Sequence, residues 1–85
     1  MSFVSQRVRD VLAVHGQLMD ELSTMNDSDN LYAAGMTSYA SVNVMLALEN
    51  EFKVKFPDTS LRQSSFKSID AIREILVKLG VNDTV

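Results

Sequence analysis

DNLYAAGMTSYASVNVMLALENEF, residues 29–52, is the stretch on which the reading of this chain turns. A polar lead with one glycine, Gly35, runs into residues 38–52, which contain neither glycine nor proline. Val44, Met45, Leu48 and Phe52 fall on one face at helical spacing and are expected to be core. Tyr39, Val42 and Leu46, three and four apart, form an adjoining face beside Ser38. Asn43 and Asn50 share the side opposite the core set. A helix this apolar, about 22 Å long at ~1.5 Å per residue, is either largely buried or offers a docking strip. Ser38 stands at its mouth, just after Thr37. A hydroxyl there caps backbone N–H groups or presents an oxygen for covalent modification.

Towards the N-terminus, residues 19–37 form a long connection whose core, Ser23 to Asn30, is dense in turn formers. Connections of this length are uncommon in compact domains and are often functional. Leu18, Leu22, Met25 and Leu31 are expected to pin it to the core, and Leu31, Tyr32 and Gly35 to make a short turn. Before it, Val4, Val8, Val11 and Leu12 recur as one stripe, which predicts a helix from residue 3 to about 18. Ser2 is its candidate N-cap, Arg7, Arg9 and Asp10 lie off the stripe, and Gly16 weakens or ends it. His15 has no cysteine or second histidine near it, so a favourable position at a helix C-terminus is the expected role.

Towards the C-terminus, Lys53 to Phe56 alternates but is too short for a convincing strand, and Pro57 ends any helix before it. Asp58 is a candidate cap for a short turn of helix over 59–62, followed by a connection over 64–68. Ser68 then caps a last helix carrying Ile69, Ile72, Ile75, Leu76 and Leu79 on one face. Gly80 sits where that helix should stop, and Val81 to Val85 read as a frayed tail. The sum is an all-α chain: a small four-helix bundle of three longer helices and one short one, one domain over residues 1–85.

The chain has no cysteine, which excludes disulfides, thiol nucleophiles and thiolate metal sites and fits a reducing cytoplasm. No apolar run approaches the roughly 20 residues that span a bilayer, and MSFVSQRVRD lacks the apolar region of a signal peptide. Between Asp10 and Phe52 there are seven acids and no lysine or arginine, an acidic surface unsuited to nucleic acid but open to a basic partner. One histidine builds no hydrolytic triad, and three scattered glycines make no phosphate loop. An enzyme is not expected.

The residues around Ser38 resemble the acyl carrier protein family. That family carries a leucine, three residues, a glycine, one residue, then Asp-Ser-Leu and an apolar helix; Leu31, Gly35 and Ser38 stand at those spacings here. Residues 38–52 match the family helix to its closing acidic-Phe end. Pro57-Asp58 and the helix from Ile69 to Leu76 fall where the family has its third-helix entry and fourth helix. Two residues depart from the pattern: Thr37 in place of the aspartate and Tyr39 in place of the leucine.

The resemblance implies that Ser38 is the attachment site of a 4′-phosphopantetheine arm from coenzyme A, whose terminal thiol carries an acyl or aminoacyl group as a thioester. It implies a phosphopantetheinyl transferase and acyl-loading or acyl-processing enzymes as partners of a cytoplasmic monomer that binds neither nucleic acid nor membrane. With few acids early in the helix, partners are expected to read Tyr39, Val42 and Leu46, with Glu49 beyond them. That points to a specialised carrier in lipid, polyketide or related biosynthesis. The competing expectation, from the missing aspartate, is an unmodified helical interaction module of the same fold.

Overall fold

The computed structural model describes residues 3–19, 21–58 and 61–82. They form three α-helices: α1, Phe3–His15; α2, Ser38–Phe52; and α3, Ile69–Lys78. Short 3-10 turns over Leu22–Thr24 and Gln63–Phe66 lie in the connections, another begins at Asp58, and no strand occurs among the described residues. α1 packs against both α2 and α3.

Each helix buries the stripe that its spacing set out. Val4, Val8, Val11 and Leu12 from α1 meet Val44 and Leu48 from α2 and Ile69, Ile72 and Leu76 from α3 in one core. Met45 and Phe52, and Ile75 and Leu79, flank it partly buried. Small residues complete the contact face of α2: Ala40 and Ser41 are buried one turn before Val44. Burying these aliphatic side chains supplies the main drive for folding, about 1.5–3 kcal/mol for each one fully removed from water.

Helix ends follow local chemistry. Ser68 caps α3, accepting from Ala71 N at 3.1 Å, with Asp70 in the first turn and Lys78 in the last. Gly80, at φ 98°, closes it: Gly80 N donates to Val77 O and Val81 N to Leu76 O, each at 3.0 Å, the paired bonds of a Schellman motif. α1 ends at His15 and not near residue 18. Gly16 N still bonds to Leu12 O at 2.8 Å, but Gln17 takes a left-handed φ of 54° and turns the chain away. The candidate cap Ser2 lies outside the described residues, as do Asp83 to Val85 of the expected tail.

A 3-10 turn begins at Asp58, where the short helix is expected, and a further one follows it. The Asp58 carbonyl accepts from Leu61 N at 3.1 Å, and Thr59 and Ser60 lie outside the described residues. Arg62 is extended, and the further 3-10 turn forms over Gln63–Phe66, reaching into the connection expected over 64–68. The apolar residue it delivers to the core is Phe66, which meets Phe56 edge-on with ring centroids 5.5 Å apart, while Leu61 stays half exposed. Lys53 to Phe56 has no ladder partner among the described residues; Lys53 is left-handed and Phe56 is buried.

The long connection is ordered by specific bonds. Arg9 reaches out of α1, donating to Leu22 O (2.9 Å), Met25 O (2.8 Å) and Asp27 Oδ1 (2.7 Å). Asp27 O accepts from Asp70 N (3.0 Å), and Leu31 N donates to Lys67 O (2.7 Å), which seats the connection beside the entry to α3. Leu31 and Met25 are buried and Leu18 and Leu22 pack against the core, as their types predict.

Candidate functional site

Ser38 is positioned by the eight residues before it. Asn30 Oδ1 accepts from Tyr32 N and Ala33 N, which starts a single helical turn. Gly35, at φ 115°, ends that turn: Gly35 N donates to Tyr32 O and Met36 N to Leu31 O, both at 3.1 Å. This is again a Schellman closure, so glycine is required at that position. Leu31, fully buried, anchors the turn, and Met36, also buried, fixes the exit. Anchor, turn and cap set the spacing from Leu31 through Gly35 to Ser38.

Thr37, not Ser38, caps α2: its backbone is extended and its Oγ1 accepts from Ala40 N at 3.0 Å. Ser38 is the first residue of the helix and is exposed. Its carbonyl accepts from the buried Ser41 Oγ at 2.7 Å, while its own Oγ has no hydrogen-bond partner among the described residues. The first turn of α2 contains no acid. A free hydroxyl therefore stands at the positive end of a helix dipole, where an anion attached to it is stabilised.

Beside Ser38 opens a cleft of about 380 Å³ between α2 and the segment before α3. Ser38, Val42, Met45, Leu61, Arg62 and Phe66 line it, with no acid among the described residues of its walls. A larger groove of about 580 Å³ between α1 and α2 is lined by Val14, His15 and Leu46 and does not include Ser38. His15 is exposed in the last turn of α1, and no cluster of potential metal ligands occurs among the described residues. None of the helices of the described residues is long and apolar enough to cross a membrane.

The residues expected to meet partners are displayed. Tyr39 is 73% exposed, Val42 50% and Leu46 53%, on one face of α2 leading away from Ser38. Glu49, one turn on, is half-buried, and its Oε2 accepts from Phe56 N at 2.8 Å, so its carboxylate also secures the chain after the helix. Arg62 was not singled out by its sequence context, because nothing there shows that the chain folds it back beside Ser38.

Residues 3–76 match the family described as the phosphopantetheine attachment site. The chain is 46% identical over 67 residues to an aminoacyl carrier protein of Agrobacterium fabrum, covering 79% of this chain and 81% of that protein. Among solved structures, it is similar to a chain in the crystal structure of an engineered Bradyrhizobium japonicum glycine:[carrier protein] ligase complexed with a carrier protein from Agrobacterium tumefaciens and ATP. The TM-score is 0.85 and the identity 41%, over 88% of this chain and 97% of that one. A solution structure of an Agrobacterium tumefaciens protein is similar at TM-score 0.69 and 47% identity, over 88% and 89% of the two chains.

Proposed function

The chain belongs to the family of carrier proteins built around a phosphopantetheine attachment site, and from that premise we propose that Ser38 bears the arm and that the cargo is an aminoacyl group. The family's cofactor is 4′-phosphopantetheine, held covalently, and such carriers are not themselves catalysts. The observation that carries the assignment of Ser38 is the capping of α2 by Thr37, which leaves the Ser38 hydroxyl exposed and without a hydrogen-bond partner among the described residues. The residues present fit a phosphodiester: a hydroxyl at a helix start, no acid in the first turn, and an apolar cleft alongside. When bound, the group supplies a terminal thiol that holds the cargo as a thioester. The protein's share is to tether that thiol, which raises its effective concentration at whichever enzyme the carrier is docked on.

The aminoacyl reading is supported by the relatives, one an aminoacyl carrier protein and another part of a complex with a glycine:[carrier protein] ligase. Fatty acyl and polyketide cargoes have no such support. The partners of this reading are a phosphopantetheinyl transferase and an amino-acid-loading ligase. A cytoplasmic monomer, one carrier domain over residues 1–85, remains part of it.

Incubation with coenzyme A and a phosphopantetheinyl transferase should add about 340 Da, the mass of the arm. Ser38→Ala should gain no mass and keep its thermal midpoint, because the cap is elsewhere. Thr37→Ala should lose about 1 kcal/mol of stability through the lost cap. A wild-type chain that stays at its original mass with every transferase overturns the assignment and leaves an unmodified interaction module of the same fold.

Tyr39, Val42 and Leu46 make the docking strip in this reading, with Glu49 at its far end. Tyr39→Ala and Leu46→Ala should each weaken binding to the loading ligase roughly 5- to 30-fold, the range of about 1–2 kcal/mol per interface anchor. Both should leave the midpoint within a few degrees of wild type, since the two side chains are already exposed. Calorimetric titration and thermal melts check the pair; a large stability loss without a change in affinity would return them to the core.

A further inference from the structure

Arg62 lies across the cleft from the exposed hydroxyl, and the geometry points to its guanidinium as the positioning group for the phosphodiester on Ser38, holding the arm along the cleft. The inference rests on the assignment of Ser38 and adds a residue that the assignment does not need. Arg62 and Ser38 line the same cleft of about 380 Å³. Among the described residues that line it, Arg62 is the single charged one, and the first turn of α2 has no acid to compete for it.

Two other arginines are engaged elsewhere. Arg7 pairs with Glu51, and Arg9 with Asp27 and two carbonyls. Arg62 makes no ion pair or side-chain hydrogen bond among the described residues. Its backbone is nonetheless fixed, because its carbonyl accepts from Ser65 N at 3.1 Å and the turn it enters is seated by buried Phe66. A planar guanidinium suits a phosphate better than an ammonium does, since two N–H groups meet two oxygens at once. Val42, Met45 and Leu61 then offer apolar surface to the aliphatic carbons of the arm.

The chain has no cysteine, so a nitroxide reagent placed on the modified protein labels only the thiol of the arm. Paramagnetic relaxation of the backbone amides of Val42, Leu61 and Gln63 then reports how often the arm lies in the cleft. Arg62→Ala is expected to lower those rates roughly two- to fivefold, the range of an exposed ion pair. Arg62→Lys should keep part of the effect, and raising salt to about 0.5 M should bring the wild type towards the alanine variant. Equal rates in wild type and Arg62→Ala overturn the inference. That outcome is distinct from failure of the Ser38 assignment, in which the mass gain of about 340 Da is missing before any label is added.

Discussion

Leu31→Ala is expected to lower the thermal midpoint by roughly 12–24 °C, from a loss of about 3 kcal/mol at 4–8 °C per kcal/mol for a domain of this size. Leu31 is fully buried although it lies in a connection and not in a long helix. Truncation removes its own transfer energy and leaves a cavity that the surrounding helices cannot close. Total stability at about 0.05–0.15 kcal/mol per residue is only a few times larger, so the loss should show at once in a melt. Hydrogen exchange should also speed up at the amides of Ala34 and Met36, which donate to Leu31 O. A midpoint within about 5 °C of wild type would mean that the connection is not anchored as described.

Gly35→Ala should cost nearly as much by a different route. A Cβ there would stand 2.8 Å from Met19 Cγ and 2.9 Å from Met19 N, at a φ of +115°. The methionine side chain is exposed and can swing away, but its amide donates to Ala34 O at 2.9 Å and cannot retreat without losing that bond. Conformational strain of about 1–3 kcal/mol then adds to the steric penalty. Gly80→Ala is the control: its φ is +98°, yet nothing lies within 4 Å of the added carbon. It should lose only the conformational part, about 1–2 kcal/mol. Denaturant melts of the two variants separate the contributions, and equal losses would refute the crowding at Gly35. Because Gly35 aims the chain three residues before Ser38, its alanine variant should also accept the arm more slowly than Gly80→Ala does.

The parts of the fold that were legible are those set by side-chain pattern and local caps. Val4 to Leu12, Val44 with Leu48, and Ile69 to Leu76 could be placed in the core from spacing alone. The start of α2 was legible in Thr37-Ser38, but which hydroxyl caps was not, because both residue types do so and only backbone geometry divides the roles. Of the two ends offered for α1, Gly16 and about residue 18, the first holds, but the left-handed turn falls on Gln17, which has no residue-type mark for it, and not on Gly16. The turn over Gln63–Phe66 was not legible, because what seats it is the meeting of Phe66 with Phe56, ten residues earlier. The cleft beside Ser38 was invisible for the same reason: its two walls are brought together only by the tertiary fold.

Arg9 could be placed only off the apolar stripe of its helix, since its partners are mostly carbonyls, which carry no signature in side-chain pattern. Its guanidinium ties α1 to Leu22, Met25 and Asp27, and the carbonyl of Asp27 ties that stretch to Asp70 at the start of α3. One unbroken chain of polar contacts thus runs from the first helix to the last by way of the residues between them. Unfolding should accordingly be all-or-none, with the middle of the protein letting go only when both ends do, and a nick placed there would leave two pieces that hold together until the whole melts.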